Sequence, residues 1–255
     1  MKPIVSRSLS VHVEHELLLR LEKAGLDRLG AQMIIGSKNN ELAKKVVAYI
    51  ERGGSEASTS LKRAREIMGK NFLSPWHVAR HFHVVYGNQI HHLWEIPFSE
   101  SELKQCKDTH ILFAGYPLTI LDIREQVSRQ FFVGENNSWY KKLAFVTADK
   151  VKMRWYLMRR NIVPVSGNLT FTEQEMRLSK YEEIPRTCEV VYMCILMYLA
   201  TKESLFQGVY AQCRDSTKDG GRVSIRSFST GGLELIGYDI SGPQVGIAAS
   251  RKISN

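Results

Sequence analysis

Eleven consecutive apolar residues, Val190 to Ala200, form the longest such run in this 255-residue chain. With Cys188 and Thr201 at its ends, the run reads as a helix that is apolar on nearly every side. Such a helix has to be covered on nearly every side. It is too short to cross a bilayer, which takes about 20 residues. The chain is long enough to bury a real core, as one large domain or two small ones.

The first hundred residues read as helices. Glu14 to Ala24 sets Leu17, Leu18 and Leu21 on one side, and Gly25 ends it. Leu42, Val46, Val47 and Ile50 give a second stripe, stopped at Gly53-Gly54 after Asn39 and Asn40 as caps. Ser55 to Ser60 is small and polar, a linker or a cap. Leu61 to Met68 predicts a short helix with Lys62, Arg63 and Arg65 outward, and Ser74-Pro75 opens another that runs through His81. Ser99-x-x-Glu102 is a capping box.

Beyond Cys106 the pattern changes. His110 to Tyr116 predicts a buried strand, Leu121 to Phe131 a helix and Thr172 to Lys180 another. Leu143 to Thr147 and Lys150 to Met158 predict a hairpin across Ala148-Asp149. In its second strand Val151, Met153, Trp155 and Leu157 alternate with Lys152, Arg154 and Tyr156. Phe206 to Arg214, Arg222 to Phe228, Leu233 to Tyr238 and Val245 to Ala249 predict closing strands, with turns at 215–221 and 231–232. The fold expected is α+β: a helical region at 1–105, then a mixed α/β domain at 106–255 ending in an antiparallel β-meander.

The net charge of +9 lies in the first 160 residues. Lys/Arg exceed Asp/Glu by 13 to 8 in residues 1–70 and by 12 to 8 in 71–160, and balance at 10 to 10 in the remainder. Such an excess favours nucleic acid or another polyanion as partner. It concentrates between Trp139 and Arg160, where seven cations stand among five aromatics with Asp149 the single acid. Cations interleaved with rings suit a phosphate backbone and its bases. Lys141, Lys142, Lys150, Lys152, Arg154, Arg159 and Arg160 are the expected phosphate contacts, with Tyr156 stacking on a base and Trp155 in the core. A strand edge guarded by Lys and Arg against mispairing explains the same pattern.

Other chemistry has thinner support. His77 and His81, four apart on a helix, are a candidate metal pair, but no Glu follows His77 and no Cys is near. Glu102-Leu103-Lys104 has the form of a nuclease motif without its partner aspartate. Phosphate-loop and nucleophile-elbow signatures are absent from the sequence. Phe72 to Phe82, FLSPWHVARHF, echoes the first helix of a helix-turn-helix, with no recognition helix behind it. Cys106, Cys188, Cys194 and Cys213 lack C-x-x-C spacing and fit free buried thiols in a reducing compartment. The first ten residues contain no apolar run of signal-peptide length.

The residues Met68-Gly69-Lys70-Asn71-Phe72, Pro97-Phe98-Ser99, Cys106 to His110, Pro117 to Arg124, Glu189 to Tyr192 and Phe206 to Arg214 together resemble a bacterial family of no known activity, frequent in small-genome candidate lineages. The resemblance spans roughly residues 60–253 and implies a bacterial, intracellular setting with no catalytic residue to carry over. The expectation is a cytoplasmic, non-enzymatic binding protein without cofactor or membrane contact, gripping nucleic acid through the hairpin. Two alternatives stay open: a protein–protein assembly component, and a metal-dependent enzyme acting on a phosphate-bearing substrate.

Overall fold

The computed structural model describes residues 10–51, 59–127, 132, 139–229 and 232–253, which fall into two compact units, 1–54 and 55–255. In the first unit α1 (Val11–Lys23) starts at Ser10, whose Oγ accepts from Val13 N at 3.3 Å. Gly25, at φ +100°, supplies the left-handed residue that ends it. Asp27 caps α2 (Arg28–Ile35) by accepting from Gly30 N at 2.7 Å, and α3 (Glu41–Glu51) follows. The expected Gly53-Gly54 stop and positions 55–58 lie outside the described residues.

The second unit opens with β1 (Thr59–Ser60), α4 (Leu61–Met68), β2 (Phe72–Leu73), α5 (Pro75–Phe82), β3 (Glu95–Ile96) and α6 (Glu100–Cys106). Then come β4 (His110–Ala114), α7 (Ile120–Gln126), α8 (Ala144–Thr147), β5 (Trp155–Arg159), α9 (Phe171–Glu175) and β6 (Glu182–Glu183). The chain closes with α10 (Thr187–Thr201), β7 (Tyr210–Ser216), β8 (Arg222–Ser229), β9 (Gly232–Ile236), β10 (Val245–Ile247) and β11 (Ser250–Arg251). The fold is α+β. Residue 105, the expected boundary, lies inside this unit, where β2 adds parallel to β4 across it.

One sheet runs β2-β4-β5-β11-β6, antiparallel apart from β2–β4; another runs β10-β7-β8-β9. Strands β7, β8 and β9 form the antiparallel meander, and β10 returns parallel to β7. The apolar run becomes α10, buried without interruption from Thr187 to Met197. It touches both sheets. Tyr192 stacks on Phe113 of β4 with ring centroids 5.8 Å apart and donates to Ala114 O at 3.1 Å, while β7 and β8 meet the helix elsewhere. All four cysteines are buried and free, with Cys188 and Cys194 on α10. Among the described residues no helix is long and apolar enough to cross a membrane.

The hairpin expected across Ala148-Asp149 does not form. Ala144 to Thr147 make one helical turn with Phe145 and Val146 buried, and β5 lies between β4 and β11. An interior strand packed on both faces has no wet side. Its polar alternation points into the protein. Gly115 shows how tightly the incoming chain lies, since a Cβ there would sit 2.2 Å from Lys152 O.

Candidate polyanion-binding surface

The 139–160 segment turns its three arginines onto acids of the protein and leaves its four lysines at the surface. Tyr156 is 1% exposed and stacks on Phe113, with centroids 5.0 Å apart. Its hydroxyl accepts from Lys152 N at 2.9 Å, so it cannot present a ring to a base. Arg154 lies over that ring and meets Glu183 at 3.4 Å and Glu189 at 3.8 Å. Arg159 donates to Glu182 at 2.7 Å, and Arg160 is held by Glu203 and Asn71. Trp155 is core as expected, donating to Leu93 O at 3.2 Å. Trp139 donates to Leu235 O at 3.2 Å and lies against Gly237. Lys141, Lys142, Lys150 and Lys152 remain exposed; Asp149 between them pairs with Arg186 at 2.9 Å. Of the expected contacts, these lysines keep their charge at the surface.

A second basic and aromatic cluster stays outside. In α4, Ala64 and Met68 face the core and leave Arg65 on the solvent side. In α5, Pro75 stands at the first turn and Pro75, Val78 and Phe82 are buried. Helical spacing then turns Trp76 and Arg80 outward, with His77 and His81 half-buried beside them. Trp76 is 58% exposed, an unusual cost for so large a ring. His83 caps α5 at φ +50° and Lys202 caps α10 at φ +64°. The packing of α10 against α5 brings Lys202 to this patch from 120 residues away.

The electrostatics locate the charges. Burial depresses the His77 pKa below 6.5, and Arg65 and Arg80 depress it further. Burial likewise lowers His81, followed by Arg80, His77, Lys202 and His83. Every charged group acting on these two rings is a cation or a histidine. Among the described residues Arg65, Arg80 and Lys202 have no ion pair within 4.0 Å; Arg65 lies 5.7 Å over the Phe72 ring and Lys202 5.6 Å over Tyr198. Nearby Arg63 is neutralised by Glu66 and Glu100, each at 3.0 Å. The patch is therefore a place where like charges crowd without acid, which an arriving polyanion relieves.

His77 has a structural duty as well. Its Nδ1 accepts from Ser74 N at 3.0 Å and lies 2.9 Å from Ser74 Oγ, which closes a capping box at the start of α5. That leaves His77 only its Nε2 for the expected metal pair with His81. Among the described residues no group of three or more His, Cys, Asp and Glu is placed to hold a metal ion. Glu102 is held by its capping box, donated to by Ser99 N at 3.0 Å, and by Arg251 at 3.4 Å.

The sequence offered half of this patch. The basic helix with Arg65 and, after it, the PWHVARH helix with its helix-turn-helix echo were visible in succession. Lys202 and the pairing of Arg154, Arg159 and Arg160 with distant acids had no local signal. No family model, curated protein or solved structure matches the chain.

Proposed function

We propose that this chain is a non-enzymatic binding protein for nucleic acid or a similar polyanion, and that the contact surface is the α4–α5 patch with Lys202. The observation that carries the reading is the crowding of Arg65, Arg80, Lys202 and His83 on His77 and His81 with no acid among the groups acting on those two rings, on the helix that also exposes Trp76. Arg65, Arg80 and Lys202 meet phosphates, and Trp76 stacks on a base. Exposed Lys150 and Lys152 extend the attraction without organising it.

Anisotropy of a fluorescent single-stranded oligonucleotide, titrated across salt concentration, tests the reading. Three organised phosphate contacts give a slope of log K against log salt of roughly −2 to −3, at about 0.7 per contact for a single strand plus peripheral lysines. Absence of binding at low salt overturns it.

A further inference from the structure

A cavity of about 890 Å³ borders the basic patch. Its lining comes from the turn before β4, the stretch after β5, the loop after α10, and Pro243. Glu203 in that lining follows Lys202 of the patch directly. Its carboxylate takes Lys70 Nζ at 3.3 Å on one oxygen and Arg160 on the other. A space of this size holds a small organic group.

The walls are held in place. Val165 lies at φ +61° and Phe206 at φ +53°. Left-handed backbone is costly for a β-branched or bulky residue and persists only where the surroundings fix it. Around Val165 they do. Val163 N donates to Ile247 O at 2.9 Å and Asn168 N to Gly242 O at 3.1 Å, and a Cβ on Gly167 would sit 2.4 Å from Pro243 O. Phe206 is 2% exposed, and its carbonyl accepts from Val209 N at 3.2 Å. Val165 is 80% exposed, so no packing of its own side chain repays the strain. Strain of this kind collects at ligand sites.

The charges say which part of a nucleotide suits this lining. Its charged residues are Asp108, Arg159, Arg160 and Glu203. Arg159 is spent on Glu182, and Arg160 on Glu203. Asp108 is exposed and, among the described residues, has no ion pair. The free charge of the lining is therefore negative. It repels a phosphate and accepts hydrogen bonds. Ile162, Leu205, Phe206 and Val209 add apolar wall, and Asn161 uses Oδ1 on Ile162 N at 2.9 Å. An uncharged ring carrying an exocyclic amine meets all of this. Carboxylates accept from the N4 amine of cytosine, whereas thymine and uracil present a carbonyl oxygen at the same position. The phosphate contacts of the patch position a strand without reading its sequence; a base edge is needed for that.

We infer that this cavity takes one unstacked base of a single strand held on the α4–α5 patch, and that Asp108 makes it prefer an amine-bearing base. The inference rests on the polyanion reading and adds sequence preference to it. Cytosine and uracil are the sharpest pair, since amine against carbonyl is their main difference at equal size.

Anisotropy of the full chain with labelled oligo-dC and oligo-dU of equal length tests this. The parent should bind oligo-dC about tenfold more tightly, as a base-edge contact discriminates. Asp108→Ala should remove the preference without weakening oligo-dU binding. Ser204→Trp, which fills the cavity, should remove it too, because stacking on an added ring tolerates any base. Both variants should keep the parent's salt slope, since Arg65, Arg80 and Lys202 are untouched. Circular dichroism checks that each is folded, and either one alone decides. Equal binding of the two oligonucleotides by the parent overturns the inference and leaves the polyanion reading standing. Binding of neither at low salt overturns both. A preference that survives Asp108→Ala or Ser204→Trp also overturns the inference and places base recognition outside the cavity.

Discussion

Strand β5 with its approach, residues 150–160, and the α4–α5 patch share a composition: cations, aromatics and scarcely an acid. They end in opposite states. Tyr156 is buried between Phe113 and Arg154, whereas Trp76 is 58% exposed. Arg154, Arg159 and Arg160 each meet a glutamate from β6, α10 or the residue pair after α10. Arg65, Arg80 and Lys202 have cationic neighbours instead. The difference lies in how many faces of the element stay wet. An interior strand covered on both sides imports counter-charge, because a buried unpaired cation is costly. A helix packed by one face has solvent for the other and can leave its charges unpaired.

The largest effect separating the two regions should come from their tryptophans. Trp155→Ala is expected to cost roughly 3–5 kcal/mol, as loss of a buried aromatic and a cavity against Phe72. Trp76→Ala should stay within about 0.5 kcal/mol in stability and weaken oligonucleotide binding by about 1–3 kcal/mol. Urea midpoints and anisotropy read the two quantities. Equal stability losses would erase the contrast.

Next in size is the acid behind β5. Glu182 is 4% exposed and accepts from Arg159, so Glu182→Ala leaves a part-buried cation unpaired and is expected to cost about 3 kcal/mol. The same site makes the fold acid-sensitive. Burial resists charge on Glu182, but the Arg159 guanidinium at 2.7 Å, with His110 3.8 Å away and a bond from Ser179 N, prevails and holds its carboxyl well below 4.5. Burial lowers His110 below 6.5 despite Glu182. Both folded pKa values are depressed. Their stabilisation is therefore complete above the ordinary values and is lost as pH falls, first below 6.5 for His110 and then below 4.5 for Glu182. Thermal melting against pH should decline in that order, and Glu182→Ala should remove the lower part of the decline.

A third comparison concerns function. Replacing Arg65, Arg80 and Lys202 together with Gln is expected to flatten the salt slope by about 2 and weaken binding at least tenfold. Lys150→Gln with Lys152→Gln should change the slope by less. The reverse ranking would return the site to the loop before β5.

The smallest expected effect is pH on binding. His77 and His81 are neutral at pH 7 and gain charge only below 6.5, so affinity should rise as pH falls. Most of the rise should vanish in His81→Gln, since protonating Nδ1 of His77 breaks its capping bond to Ser74. Anisotropy between pH 7.5 and 5.5, about two units across the imidazole range, follows this change.

Local rules explain why some of this could be read in advance. Ser74-Pro75, Ser99-x-x-Glu102 and the uncharged run of α10 state their structure within a turn or two, and the helices appear there. Residues 143–147 could not be read that way: Leu-Ala-Phe-Val-Thr suits a strand, but Ala144–Thr147 make a helical turn that buries Phe145 and Val146. Alternation in 151–157 correctly placed Trp155 inside. It failed for Tyr156 because period two identifies two faces without saying whether either is wet. Half of the patch was legible as a basic helix followed by the Ser74–His81 helix. Lys202 was not, since only the packing of α10 on α5 brings it there.

The central helix also contains a clock. Burial pushes the Cys188 thiol up to about 12, and Cys194 higher still. Alkylation needs a thiolate at the surface, so in the closed molecule both sulfurs are silent. The rate at which iodoacetamide finds them then counts the moments when α10 leaves its place between the sheets, timing how often the protein's interior opens.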